Sequence, residues 1–184
     1  MKNNIVRCSW CNLSNKEYVK YHDEEWGVLN IDDRYLLEMF ILETFQAGLS
    51  WECVLNKRKY FKKAYDDFDI NKIILYDNYK IIELMNNKNI IRNKLKIKAS
   101  IENSKIFKNI IDIYGSFYNY LKLFTNEKII YENDKTTNEL SDLISKDLKK
   151  RGMKFVGSIT IYSFLQAIGI INSHSDECFK YKII

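Results

Sequence analysis

The sequence predicts an all-α protein, and three observations carry that prediction. There is no proline and there are only six glycines in 184 residues, so few positions break a helix. Apolar residues recur at helical spacing in most segments, and strict alternation is absent. Hydrophobic residues make up 46 % of the chain and aromatics 14 %, enough to build a core and too much for wholesale disorder. A chain of this length forms one domain, or two small lobes sharing a core.

The elements follow in order. Asp32 or Asp33 caps a helix that continues YLLEMFILETFQA and stops near Gly48. It is apolar almost all round, which makes it central. Trp51 to about Tyr65 reads as a second helix, with Lys57, Arg58, Lys59, Lys62 and Lys63 on a wet basic side. Segments 77–87, 89–113 and 116–124 read as further helices. Their Ile-rich runs also suit strands, and the lack of alternation decides for helix. Residues 125–136 read as a loop. Thr137 to Arg151 is helical, with Leu140, Leu143, Ile144 and Leu148 on one stripe. A last helix runs from Ser158 to about Ile171. No repeat, linker or low-complexity tract divides residues 1–184.

The formal net charge is +5. The basic residues cluster, which favours phosphate-bearing partners. The opening MKNNIVRCSW lacks the apolar run of a signal peptide, and no stretch reaches 18 apolar residues. A cytoplasmic protein without a membrane segment is the expectation. In that compartment four cysteines are free or metal-bound more often than disulfide-bonded.

Four groups of residues carry chemistry. In KKRGMKFVGS, Gly152 and Gly157 bracket four residues between two amphipathic helices. Such a connection can use positive φ at each end and turn backbone N–H groups outward at the start of the following helix, an anion site. Lys149, Lys150, Arg151 and Lys154 add charge. An ordinary helix–helix turn with solvated lysines fits the spacing equally well. Second, His174 and Cys178 stand four apart, so on a helix they share a face. Cys8 and His22 stand fourteen apart near the other end. Two Cys and two His suit tetrahedral zinc. Cys11 makes Cys8-x-x-Cys11 a rival pair, and buried cysteines with satisfied histidines are the plain alternative. Third, Glu43 falls on the stripe Leu36, Met39, Phe40, Glu43, Ala47, where a carboxylate is costly without a partner. It is either a structural carboxylate or a ligand-reading one. Fourth, Trp10, Tyr18, Tyr21, Trp26 and Trp51 crowd the first third of the chain. Aromatics at helical spacing are usually core, and otherwise stack on a flat ligand such as a base.

The stretches RCSW, YHDEEWGV, LETFQAGLSW, KKRGMKFVGSITIYSFLQAIGIIN and HSDEC stand in the order and spacing of the DNA-3-methyladenine glycosylase I family, and the chain resembles it over residues 5–178. The resemblance implies a helix-hairpin-helix glycosylase fold in a single two-lobed domain, with the helix-hairpin-helix element at about 137–171. One structural zinc, held by Cys8, His22, His174 and Cys178, would join the N- and C-terminal segments. It gives Glu43 the catalytic, base-reading role and puts Tyr21 and Trp51 in the base pocket, with Tyr18 and Trp10 nearby. Leu49 would fill the gap left by a flipped nucleotide, and Gly152, Lys154 and Gly157 belong to the phosphate clamp. The implied reaction is hydrolysis of the N-glycosidic bond of 3-methyladenine in alkylated double-stranded DNA, by a monomer and without lyase chemistry. One extra residue between Trp10 and Tyr18 departs from the family pattern, and Cys11 stands as an alternate ligand. Asp176 lies 176 − 157 = 19 residues past Gly157, near where other helix-hairpin-helix glycosylases carry an Asp. The resembled family does not use one, and Asp176 is left out of the site. A zinc-stabilised DNA-binding module without catalysis would keep the hairpin and the metal but need no buried Glu43. A redox or regulatory metalloprotein would rest on Cys8-x-x-Cys11.

Overall fold

The computed structural model describes residues 5–125 and 127–182. The expectation about the opening of the chain, and one position of the 125–136 segment, fall partly outside them. The fold is mostly helical, as predicted, with one two-stranded addition.

Helix α1 (Lys16–Glu24) is capped by Asn15, whose side chain accepts from the Tyr18 N–H at 3.3 Å. Periodicity does not predict it, because its few buried residues are Tyr18, Tyr21 and His22 among charged neighbours. Helix α2 (Asp33–Gln46) starts where Asp32 accepts from the Tyr35 N–H at 2.9 Å. Every residue from Leu36 to Phe45 is buried, so α2 is the central helix. Ala47, expected on its buried stripe, is exposed just past its end.

The single helix expected from Trp51 to about Tyr65 is two, α3 (Trp51–Leu55) and α4 (Arg58–Ala64). The break turns Arg58 inward, where its guanidinium bonds Glu25 at 2.7 Å and Glu38 at 2.8 Å. Arg58 therefore does not belong to the wet basic side. Tertiary pairing has overridden a locally helical pattern. A short 3₁₀ turn and α5 (Ile70–Ile73) lead to α6 (Asn78–Asn86), α7 (Lys94–Tyr114) and α8 (Phe117–Thr125). α7 starts later than expected because the Asn93 side chain accepts from the N–H groups of Leu95 and Lys96 and sets its N-terminus there.

Strand β1 (Ile130–Tyr131) pairs in parallel with β2 (Ile171–Asn172). Between them lie α9 (Glu139–Lys150) and α10 (Ser158–Ala167). Leu140, Ile144 and Leu148 of α9 are buried, but Leu143 is 55 % exposed and off the stripe. α10 ends four residues earlier than expected. The Ile170 N–H donates to the Leu165 carbonyl at 3.0 Å and the Gly169 N–H to that of Gln166 at 3.2 Å, a Schellman end with Gly169 at φ +79°. A Cβ on Gly169 would stand 2.2 Å from the backbone of Val28 and Leu29. The segment after α1 is thus pressed against the end of α10.

α2 packs against α3, α7, α8 and α10. Its Phe40 meets Phe107, Phe117 and Phe164 edge-on at 5.3–6.0 Å, a favoured aromatic geometry. Among the described residues no helix is long and apolar enough to cross a membrane.

Candidate functional site

A cavity of about 330 Å³ opens between α1, α2, α3 and α10. Trp10, Tyr18, Tyr21, Glu43 and Trp51 all line it. The local sequence explains the convergence. Tyr18 and Tyr21 sit three apart on the buried face of α1. Glu43 is on the last buried turn of α2, and Trp51 opens α3, where the Ser50 hydroxyl accepts from the Cys53 N–H at 3.2 Å. The Tyr21 and Trp51 rings lie 5.2 Å apart at 49°. Trp10 is half-exposed and packs on Tyr18 at 5.3 Å and on Trp26 at 4.7 Å.

Glu43 is 4 % exposed. Its Oε2 is buried without a hydrogen-bond partner, as is Nε1 of Trp51. Apart from the Tyr162 hydroxyl, these are the only such side-chain atoms among the described residues, and both belong to cavity-lining residues. Desolvation alone pushes the Glu43 carboxyl up to about 8. A carboxylate kept to hold a fold together finds a cation or N–H partner. Glu43 has none, and an acceptor and a donor are left to a ligand.

Behind this cavity lie four buried donors. One atom from each of Cys8, His22, His174 and Cys178 lies within 4.8 Å of the others. Cys8 Sγ and Cys178 Sγ are each 3.4 Å from His174 Nδ1, and Cys178 Sγ is 3.5 Å from His22 Nε2. Zinc–sulfur bonds of about 2.3 Å and zinc–nitrogen bonds of about 2.05 Å at a tetrahedral angle give sulfur–nitrogen spacings of about 3.6 Å. The outer partners orient both rings. His22 Nδ1 is 2.8 Å from Asp23, which Arg7 grips with two nitrogens, and His174 Nε2 is 3.0 Å from the Trp26 carbonyl. Each ring can donate outward and leave the inner nitrogen as an acceptor. The Ser175 N–H points at Cys8 Sγ and the Lys180 N–H at Cys178 Sγ, both at 3.4 Å. Burial pushes the Cys8 thiol up to about 11 and His174 down to about 4; a divalent cation reverses the thiol preference, and neutral imidazole is already the ligand form. The donor set fits a structural metal. His174 and Cys178 are brought together without a helix, on a turn closed by the Cys178 N–H and the Ser175 carbonyl at 2.8 Å. Cys11 is outside the group; its sulfur faces the Tyr18 carbonyl at 4.0 Å.

The residues assigned to DNA contact lie on two surface loops. Leu49 is 42 % exposed, after Gly48 at φ +82°. In the hairpin Gly152 has φ +100°, but Gly157 has φ −62° and is extended. The second left-handed position is Phe155 at φ +58°, so the expected use of Gly157 for positive φ is corrected. Gly157 is the residue before α10, has no side-chain cap, and a Cβ there would meet nothing within 4 Å. Asn103 holds the turn, donating to the Lys154 carbonyl at 2.8 Å and accepting from its N–H at 2.9 Å. The Lys154 side chain is exposed, as are Lys149 and Lys150. Arg151 instead bonds Asp147 at 2.6 Å.

Sequence reasoning missed several cavity residues: Gln46, Ser163, Gln166 and the segment 133–135. Ser163 and Gln166 were detectable as polar residues on an otherwise apolar helix. The placement of 133–135 depends on the β1–β2 pairing and had no local signal.

A family model described as methyladenine glycosylase matches residues 10–181. The chain is 38 % identical over 184 residues to the Escherichia coli protein named DNA-3-methyladenine glycosylase 1, covering 96 % of this chain and 97 % of that one. A crystal structure of 3-methyladenine DNA glycosylase I superposes with a TM-score of 0.90 at 37 % identity, over 95 % of this chain and 98 % of that one. A tyrosine-to-phenylalanine variant of a 3-methyladenine DNA glycosylase I, solved in complex with 3-methyladenine, gives 0.88 at 30 % identity, over 94 % and 97 %.

Proposed function

Because the chain belongs to the methyladenine glycosylase family, we propose that it excises 3-methyladenine from alkylated double-stranded DNA by hydrolysing the N-glycosidic bond, with no lyase step. The observation that carries this is Glu43, a buried carboxyl without a protein partner in a cavity lined by electron-rich rings.

Alkylation at N3 places positive charge on the base and makes it a good leaving group. The protein has to extrude the nucleotide, hold the base and admit water to a cationic sugar. Tyr21 and Trp51 favour a cationic base through their faces, by about 0.5–2 kcal/mol. The adenine edge presents the N6 donor and N7. Ionised Glu43 only accepts, so it suits N6–H and an electron-poor or protonated N7. Leu49 would take the space the nucleotide leaves. The hairpin would hold a phosphate through backbone N–H groups at the start of α10, which positions without reading sequence.

We further propose one structural zinc on Cys8, His22, His174 and Cys178. When bound it would supply a cross-link between the ends of the chain, and with four protein ligands it leaves no position for catalytic water. Through Trp26, which packs on His174 at 4.7 Å and on Trp10 at 4.7 Å, the cluster would steady the wall of the base cavity. A monomer in the cytoplasmic compartment that holds the DNA completes the proposal. Its support is that one chain supplies every cavity residue and all four donors.

The test is release of free 3-methyladenine from alkylated duplex DNA by the purified protein, with the strand left unbroken at the abasic site. Absence of base release would overturn the proposal, and so would strand scission accompanying it.

A further inference from the structure

Lys96 is the one lysine among the described residues that is buried, at 6 % exposure, and it has no carboxylate partner. Its Nζ donates instead to two backbone carbonyls at the end of α2, Phe45 at 2.8 Å and Ala47 at 2.5 Å. Those carbonyls lie at the negative end of the helix. Directly beyond them come Gly48 at φ +82° and the exposed Leu49, whose N–H donates to the Gln46 carbonyl at 2.6 Å. The same Nζ lies 6.0 Å from the ring of Phe155, at the left-handed position of the hairpin. Seven residues along α7, Asn103 grips the hairpin through both backbone groups of Lys154. Residues seven apart share a helix face, so one face of α7 fixes both the Leu49 loop and the hairpin.

A buried ammonium without a counter-ion is costly, and burial lowers the proton affinity of Lys96. A helix end needs nothing so expensive, since a glycine motif satisfies the same carbonyls. The arrangement stiffens a turn carrying an exposed leucine, and a stiff turn matters when that leucine has to stand in a gap of fixed size.

We propose that Lys96 is a positioning residue for excision, holding the end of α2 so that Leu49 stands at the height of the flipped nucleotide. This rests on the functional reading above and on Leu49 as the wedge. Lys96 itself touches no substrate. It acts through the 45–49 backbone and sets the spacing from wedge to clamp.

The experiment is a double-mutant cycle of Lys96→Met and Leu49→Ala, read by single-turnover release of 3-methyladenine from duplex DNA. Binding of free 3-methyladenine, followed by tryptophan fluorescence, reports the cavity alone. Misplacement of the wedge should slow excision about 10- to 100-fold and leave affinity for the free base within about twofold. In the Leu49→Ala background, Lys96→Met should add less than about twofold, because there is no wedge left to position. Additive losses in the cycle, or an equal loss of free-base affinity, would overturn the role. Should Lys96→Met fail to melt cooperatively, Lys96→Gln takes its place; failure of both to fold assigns Lys96 to the core and also overturns it. A parent that releases no base overturns the functional reading itself. Leu49→Ala excising like the parent overturns the wedge, and Lys96 with it.

Discussion

Glu43→Gln separates a recognition carboxyl from a structural one, because the two roles move stability in opposite directions. The Glu43 carboxyl has its ordinary value of 4.5 raised to about 8 by desolvation. A group raised on folding contributes stability that is fully present below its unfolded value and lost as pH climbs through its folded value. Between about pH 4.5 and 8 the unfolded chain has released this proton and the folded one still holds it, so the ligand-free fold loses stability across that window and no more above it. At about 1.36 kcal/mol per unit the loss is at most about 5 kcal/mol. Glutamine keeps the shape and has no charge to desolvate. Glu43→Gln should match the parent in melting temperature near pH 4.5 and exceed it progressively up to pH 8.5. Excision should move the other way. Losing a buried charged hydrogen bond costs roughly 1.5–3 kcal/mol, or about 10- to 150-fold in single-turnover release of 3-methyladenine. The pH profile adds a signature. If a cationic nucleotide needs the ionised carboxylate, subsaturating excision by the parent should rise with pH and level off near 8, and the glutamine variant should show no such limb. A Glu43→Gln protein that melts lower than the parent at pH 8.5, or excises at the parental rate, would refute this reasoning.

Cys178→Ala should lose bound zinc and on the order of several kcal/mol of stability together, whereas Cys11→Ala should keep both; metal analysis beside thermal melting decides. Gly157→Val should fold, since φ there is −62° and its Cβ meets nothing, at a cost of at most about 1 kcal/mol for the altered cap. Binding of undamaged duplex should fall about tenfold through hindrance of the phosphate, while Lys154→Ala changes it little; equal binding by Gly157→Val and the parent would exclude the hairpin as the clamp. Gly169→Ala puts a methyl group 2.2 Å from the Val28–Leu29 backbone at φ +79° and should lower stability by about 3 kcal/mol or more, roughly 6–12 °C in Tm.

How legible the site was differed residue by residue, for physical reasons. Glu43 was visible because an acidic residue on an apolar stripe violates local consistency. The four Cys and His donors were visible as types, but spacing within each end of the chain says nothing about the distance between the ends. The resemblance singled out Cys8 over Cys11, and the geometry brings Cys8 to His22. α1 was missed because its buried face is two tyrosines and a histidine, residues that read as surface in a hydropathy pattern. Gly157 was misread by symmetry with Gly152: the turn needs two left-handed residues and takes the second at Phe155, which no preference rule would choose. The break at Asn56–Lys57 and the inward turn of Arg58 depend on Glu25 and Glu38, distant in sequence. Lys96 carries no local signal, and only the end of α2 beside it marks it out.

The meeting of the chain's ends bears on how the protein comes to be made. Cys8 and His174 are 166 residues apart, and the Phe179 N–H donates to the Val6 carbonyl at 2.9 Å. Closing a loop of that size costs about 4.5 kcal/mol of chain entropy beyond a constant term. Of the contacts between described residues, these are among the longest in sequence separation, and such contacts form late. On a ribosome the Cys8–His174 approach and the Val6–Phe179 hydrogen bond wait until residues near 178 have emerged. Helices α2 to α10 have all emerged by then. The clasp between the two ends is therefore closed last, and the aromatic wall, whose Trp10, Tyr18 and Trp26 can pack on one another early, is locked only when His174 arrives against Trp26.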